Sequence, residues 1–291
     1  MGAEPARPEI SVVVPVRNGA GSLPALLESI VGQSLAPERY EVVVVDNASD
    51  DSTARVAASL GARVVGEHVP NRSRARNAGA RAALADLLAF TDADCTVSPD
   101  WLEGLLACRG RAPLVAGPVS VTTGTPPSAV ERFESLWRFS QAAWVSQGWA
   151  ATANLMVERR AFEAIGGFDP AYHHIGEDAD FCLRAGRAGF ALDYCATAFV
   201  RHGAERALAP LLRRAFFHGY SAAQALRRIG VGHTAWRDPR PLVSPHAALA
   251  RLGIAPDSLP PSERRVLGAL ASITHASRVA GSIWALLRRA R

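Results

Sequence analysis

FTDADC, Phe90–Cys95, closes a short apolar run, DLLAF (Asp86–Phe90), with two carboxylates one residue apart. A strand that ends this way is open to three chemistries. Asp92 and Asp94 can hold a metal, one of them can act as a nucleophile, or both can cap a following helix. On its own, D-x-D does not choose among them.

Upstream, strand and helix patterns alternate. Ile10–Pro15 is β-rich, and Ser22 is placed to cap a helical pattern through Leu26, Leu27, Ile30 and Val31. Glu41–Asp46, EVVVVD, is a continuous apolar run of strand length, as a strand covered on both faces requires. Asp51 or Ser52 can cap the next helix, which Gly61 ends. Arg63–Val65 reads as a third strand, Ser73–Ala85 as a helix and Leu87–Thr91 as the fourth strand. Such β-α repeats predict a parallel, doubly wound sheet with ligands beyond the carboxyl ends of its strands. Asp46 and Asp92 both fall at such ends.

Downstream, a helix is expected over Pro99–Cys108, a strand over Leu114–Val121 and a loop at TTGTPP, Thr122–Pro127. A single helix over Glu131–Trp149 would carry Trp137, Trp144 and Trp149. Asn154–Ile165 reads as strand then helix, Glu177–Ala188 as a helix, and Phe190–Cys195 and Ala198–Val200 as strands. A long amphipathic helix spans Arg206–Ile229. Gly230–Pro261 has the composition of a linker, and Val266–Arg291 forms a last helical pattern.

The 291 residues suffice for one large domain or a domain with an appendage. Hydrophobic content of 48% with 20% charged residues is that of an ordinary globular protein. The net charge of +5 rests on Arg alone, since Lys is absent. Arg suits phosphate-bearing ligands or an anionic surface, and biased composition accounts for it equally well. No nucleic-acid signature is present. Cys95, Cys108, Cys182 and Cys195 form neither a C-x-x-C pair nor a zinc spacing, which predicts free thiols in a reduced, cytoplasmic setting. The start MGAEPARPEI lacks a signal-peptide core, and no run has membrane-span length; Val266–Leu287 is interrupted by His275 and Arg278.

TDADCTV is similar to the D-x-D-x-T/V start of haloacid dehalogenase-type phosphohydrolases. That family uses a Lys to balance phosphate and places the motif on the first strand. Here Lys is absent and the motif lies on the fourth. Gly19-Ala20-Gly21 suggests a dinucleotide fingerprint, but its third glycine position holds Pro24.

SVVVPVRNGAGSL (Ser11–Leu23), EVVVVDNASDDST (Glu41–Thr53), RARNAGA (Arg74–Ala80), LLAFTDADC (Leu87–Cys95), GGFDP (Gly166–Pro170) and GEDADFCLR (Gly176–Arg184) occur in that order. Together they closely resemble the family-2 glycosyltransferases of GT-A fold, over about residues 10 to 202. The resemblance implies an α/β fold with a mixed, mainly parallel sheet and flanking helices. The implied divisions are a tail at 1–9, a GT-A domain at 10–229 and a linker with helical extension at 230–291. Within the domain, a nucleotide-sugar half covers about 10–97 and an acceptor half about 98–229.

By the same resemblance, Pro15, Val16 and Arg17 face the base and ribose, with Asp46 and Asn47 at the second strand end. Many relatives carry two acids where this chain has Asp46-Asn47, so the base-reading residue stays open. Arg76 would meet base or phosphate. Asp94 would bind Mg²⁺ or Mn²⁺, with Asp92 at the ribose or assisting and His202 as a further ligand. Asp178, with Glu177 second, would be the base that deprotonates the acceptor. Acids at a helix start also satisfy the helix dipole, and Asp180 reads as structural. Gly166 and Gly167 let the backbone approach the sugar, Phe168 packs under it or belongs to the core, and Trp149, with Trp137 and Trp144, offers either an acceptor platform or core.

The implied reaction is inverting transfer from a UDP- or other nucleotide-diphosphate sugar to a hydroxyl, on a lipid-linked or small acceptor. A sugar-phosphate nucleotidyltransferase and a non-catalytic nucleotide-sugar binder remain as alternatives. The C-terminal segment can be a lid, a homodimer contact or an interfacial helix on the inner membrane face. Its apolar face would comprise Val266, Leu270, Ile273, Val279, Ile283 and Leu287.

Overall fold

The computed structural model describes residues 7–173, 175–228 and 244–287. The chain parts into two compact units, the first comprising Met1–Ser120, Ser140–His173 and Glu177–His202.

In chain order the first unit begins with β1 (Ile10–Val16), α1 (Leu23–Val31), β2 (Tyr40–Asn47), α2 (Thr53–Ser59), β3 (Arg63–Glu67), α3 (Arg72–Ala82) and β4 (Leu87–Phe90). These are the expected repeats, and β3, β2, β1 and β4 run parallel. Val43, Val44 and Val45 are fully buried, as a central strand covered on both faces must be. Helix α3 lies tightly on this sheet because Gly79 has no side chain. A Cβ there would stand 2.4 Å from Val13 Cγ1 and 2.9 Å from Val45 Cγ2.

Then come β5 (Cys95–Val97), α4 (Trp101–Cys108), β6 (Leu114–Ala116), β7 (Val119–Thr122), α5 (Ala129–Trp137), α6 (Gln141–Val145), β8 (Leu155–Glu158), α7 (Arg159–Ala164), α8 (Glu177–Arg187), β9 (Leu192–Tyr194) and β10 (Val200–Gly203). The main sheet has seven strands in the order β3-β2-β1-β4-β8-β6-β9, with β8 antiparallel to both neighbours. A three-stranded sheet has the order β5-β10-β7. The fold is thus α/β with a mixed, mainly parallel sheet. Phe90, Phe162, Phe168 and Phe181 form the aromatic centre of the core; Phe168 and Phe181 stack at 4.4 Å between centroids.

Several local expectations change. The run Leu114–Val121 is two strands, broken at Gly117, where a Cβ would meet Ala198 O at 2.2 Å. Glu131–Trp149 is two helices, α5 and α6; Trp137 ends the first, Trp144 lies in the second and Trp149 lies beyond it. Ser22 occupies the N-cap position of α1, but its hydroxyl donates to Gly19 O at 3.4 Å and caps nothing. At α2 it is Asp51, not Ser52, that receives Thr53 N at 2.9 Å.

The cysteines also differ. Cys108 ends α4 and Cys195 follows β9, which the sheet edge brings to a Cα separation of 6.1 Å, and they form a disulfide. The expectation of four free thiols is therefore corrected. Cys95 and Cys182 are free and buried.

The second unit comprises Val121–Phe139, His174–Gly176 and Gly203–Arg291. It contains α5, α9 (Leu208–Arg228), the short helix Pro245–Arg251 and the last helix Pro261–Leu287. The stretch expected to be a linker lies partly outside the described residues. From Pro245 it is helical, and Leu249, Ile254 and Leu259 pack with Phe133, Leu211 and Leu267. Helix α9 and the last helix cross at backbone contact: a Cβ on Gly219 would stand 1.8 Å from Arg278 O, and one on Gly281 1.9 Å from Phe216 O. The expected apolar face divides. Leu270 is buried, whereas Val266, Ile273 and Leu287 are exposed. Among the described residues no helix is long and apolar enough to cross a membrane.

Candidate active site

Arg76 organises the acidic residues. Its helix, α3, starts at Asn71, whose side chain accepts Arg74 N at 3.0 Å. The Arg76 guanidinium is buried over the Phe168 ring, 5.6 Å from its centroid. Nη1 donates to Glu177 Oε1 at 2.7 Å and Nη2 to Asp92 Oδ1 at 3.0 Å, while Asp178 Oδ1 lies 4.0 Å away. Three carboxylates from two distant motifs thus converge on one cation.

Asp92 leaves β4 after Thr91, which is tied to β1 through Val13 O and to Ala153 O by its hydroxyl. The turn closes with Cys95 N on Asp92 O at 3.0 Å, and β5 then pairs with β10 in the register His202↔Cys95. That register brings His202 Nε2 to 3.2 Å from Asp94 Oδ1 and 4.0 Å from Asp92 Oδ2. The acidic pair therefore leads into a short strand, so of the three alternatives capping a helix is removed.

Burial pushes the Asp92 carboxyl up, but Arg76 and then His202 outweigh it and hold it below the usual carboxylate range. Asp178 goes the other way. Burial, followed by the charge of Glu177, pushes it up to about 7 against the pull of Arg76. Its Oδ2 accepts Thr152 N at 3.1 Å and the Thr152 hydroxyl at 3.3 Å. Burial lowers Arg76, yet Asp92, Glu177 and Asp178 more than restore it, so it stays charged.

Asp94, Cys95 and His202 bring one ligand atom each within 4.8 Å of one another. Cys95 does not suit a hard cation: burial, then Asp92 and Asp94, hold its thiol well above its ordinary value and so protonated. Asp94, Asp92 and His202 give an oxygen-rich set with one imidazole, which fits Mg²⁺ or Mn²⁺ completed by ligand oxygens.

At the strand ends beside this cluster, two loops are laced together. Asn18 N meets Ser49 Oγ at 2.9 Å, Asp50 N meets Asn18 Oδ1 at 2.8 Å, and Gly19 N meets Thr53 Oγ1 at 2.9 Å. Arg17 is exposed there, Pro15 half-buried and Val16 buried. Asp46 is half-buried and accepts Ser49 N at 3.2 Å. Asn47 is buried and spends its Oδ1 on Asn71 N at 3.2 Å, an internal tie between β2 and α3. Asn71 and Thr152 lie outside every quoted motif; Thr91 lies within FTDADC but carries no chemistry that would have singled it out.

Gly166 and Gly167 are left-handed, with φ of 74° and 70°. Asn77 clamps the next residue, receiving Phe168 N at 2.9 Å and donating to Phe168 O at 2.8 Å. The Phe168 ring is fully buried in the core, where it supports Arg76. Trp149 is half-buried and stacks on Trp144 at 4.4 Å. Asp180 is tied up by Arg184 Nε at 2.8 Å.

The glycosyl transferase family 2 model matches residues 11–155, and the glycosyl transferase family group 2 model matches residues 87–262. The chain belongs to glycosyltransferase family 2.

This glycosyltransferase is 30% identical over 226 residues to glycosyltransferase AglE of Haloferax volcanii, covering 75% of this chain and 74% of that protein. It is 34% identical over 234 residues to the pre-mycofactocin glycosyltransferase of Mycobacterium tuberculosis, covering 75% of this chain and 48% of that one. Against that relative, the chain spans about half the length. In fold it matches the mannosyltransferase PcManGT from Pyrobaculum calidifontis, solved with GDP-Man and Mn²⁺, with a TM-score of 0.63 at 20% identity over 98% of this chain and 88% of that one. S. aureus TarS 1–349 with UDP-GlcNAc gives 0.57 at 16% identity, over 97% and 92%. Both glycosyltransferases thus share its GT-A architecture.

Proposed function

We propose that this glycosyltransferase moves a sugar from a nucleotide-diphosphate sugar to an acceptor hydroxyl, with inversion and with a divalent cation. The observation that carries this reading is the convergence of Asp92, Glu177 and Asp178 on the Arg76 guanidinium, with His202 joined to Asp94 and the Asp178 carboxyl pushed up to about 7. A base must be ionised often enough to accept a proton and basic enough to hold it, and a value near 7 meets both needs.

In this reading the laced loops after β1 and β2, with Arg17 and Asp46, hold the nucleotide. Asp94, with Asp92 and His202, holds Mg²⁺ or Mn²⁺, which would neutralise diphosphate charge as a Lewis acid. Asp178 takes the proton of the acceptor hydroxyl. The acceptor oxygen then bonds to the anomeric carbon, while the carbon–oxygen bond to the diphosphate breaks and its electron pair departs with that group. Arg76 holds Asp92 below the usual carboxylate range and fixes Glu177 through its hydrogen bond at 2.7 Å. The Mn²⁺ and nucleotide-sugars in the two neighbouring structures support a nucleotide-sugar donor with a divalent ion.

The test is donor turnover by the purified full chain against a panel of nucleotide-sugars with Mn²⁺, Mg²⁺ or chelator. Absence of binding and of hydrolysis across the panel in both metals refutes the reading.

A further inference from the structure

The last helix, Pro261–Leu287, packs on α9 through Gly281 and through Ser277, whose Oγ donates to Leu212 O at 2.8 Å. Its outward face is unusual. A surface helix ordinarily turns polar side chains to water. Among the described side chains from Val266 to Leu287, the exposed ones are Val266, Ala269, Ile273, Ala276, Ala280, Trp284 and Leu287, and every one is apolar. The large ones are well exposed: Val266 48%, Ile273 44%, Trp284 47% and Leu287 62%. They recur every three or four positions, which confines them to an arc of about 80° along about 32 Å of helix.

The width and charge of this stripe select its occupant. An arc so narrow is the seam of a helix pair, whereas a helix lying on lipid needs a broader apolar face edged with cations. Between Val266 and Leu287 the sole Arg is Arg278, and no Asp or Glu lies there. The Arg278 backbone rests against Gly219 of α9, on the other side of the helix, so the seam itself carries no charge.

The order of sizes along the seam is self-complementary. Two copies set antiparallel about a two-fold axis beside Ala276 would face Ile273 with Ala280, Ala269 with Trp284 and Val266 with Leu287 of the other copy. Small side chains then receive large ones next to the axis. A parallel pair would instead set Trp284 on Trp284 and Ala280 on Ala280, a clash beside a gap. Antiparallel pairing also brings the positive N-terminal end of each helix beside the negative C-terminal end of its mate. Two such stripes remove on the order of 1,000 Å² from water, near the lower limit for a specific interface, which suits reversible association.

We propose that this face of the last helix pairs with the same face of a second copy of the chain, antiparallel, in a reversible homodimer. None of its residues belongs to the acidic cluster, so the pairing is independent of the proposed transfer reaction.

Sedimentation of the full chain over about 1–200 µM tests this, with the mean mass expected to rise toward that of two copies. Ile273→Glu puts a charge into the seam and should weaken association by about tenfold or more. Ala280→Gln fills the slot that receives Ile273 and should do the same, which keeps the test valid should Ile273→Glu fail to fold. On oxidation Ala276→Cys should cross-link to its own kind, and Val266→Cys, far from the axis, should not; Cys95 and Cys182 are buried and do not interfere. Vesicles of phosphatidylcholine with phosphatidylglycerol test the other occupant. A single copy at every concentration, a dimer indifferent to both Ile273→Glu and Ala280→Gln, cross-linking of Val266→Cys as readily as Ala276→Cys, or vesicle binding that Ile273→Glu abolishes overturns the proposal.

Discussion

Arg76 Nη1 stands 2.7 Å from Glu177 Oε1, across 101 positions of sequence, and both side chains are only 3% exposed. The same guanidinium reaches Asp92, so the acidic residues after β4 and those opening α8 share one counter-ion. Replacing Arg76 with Met leaves buried carboxylates uncompensated, and stability should fall by about 3–5 kcal/mol. Arg76→Lys keeps the charge but loses the fork, so it should lie between the two and lower kcat more than it raises KM. Denaturant melts and steady-state kinetics measure both.

Asp178→Asn should lower kcat by about 10²–10⁴-fold while donor binding persists. In wild type the rate should fall as pH drops below about 7, because the carboxylate is then protonated. Stability follows the opposite sign. A folded-state value raised above that of the unfolded chain favours folding at low pH, and this contribution is lost as pH rises toward 7. Melts of the two proteins between about pH 4 and 7 should therefore diverge in favour of Asp178→Asn.

Asp94→Asn and His202→Ala should each weaken Mn²⁺ binding by about tenfold or more, as loss of a charged or polar ligand predicts. Calorimetry with Mn²⁺ alone reads this directly. Chelator should abolish donor hydrolysis in wild type.

Gly167→Ala places a Cβ 2.6 Å from Asn77 Oδ1 at a φ of 70°, so it should cost about 1–3 kcal/mol and loosen the clamp on Phe168. Gly21→Ala, with nothing within 4 Å of its Cβ, is the matched control and should be nearly neutral.

Reducing Cys108–Cys195, or replacing both with Ser, reopens a link across 87 positions and should lower stability by about 2–4 kcal/mol. Neither cysteine touches the acidic cluster, so turnover at low temperature should be retained. Melts with and without reductant test this.

The first four strands were legible because EVVVVD and its neighbours have the length and apolarity of covered strands, and Asp51 and Gly61 bound the second helix. Asp92, Asp94, Asp178 and His202 were singled out only through motif order. Their meeting depends on pairings that no local pattern encodes, such as β5 with β10. Phe168 stayed open between ligand and core because an aromatic beside two glycines reads the same in either place. Asn47 looked available for a nucleotide because its tie to Asn71 spans 24 positions. The disulfide was missed for a similar reason: spacing along the chain carries no information about a contact made across a sheet edge.

The register of β10 acts as a selector with discrete settings. Side chains alternate along a strand, so sliding β10 past β5 would withdraw His202: a one-residue insertion within Ala196–Phe199 would put the Arg201 guanidinium in its place, and a one-residue deletion the bare backbone of Gly203. The first would substitute a permanent cation for an imidazole, and the second would leave a gap. Variation in the length of that connection would therefore change the group offered to Asp94 in steps, with no substitution at the acidic pair itself.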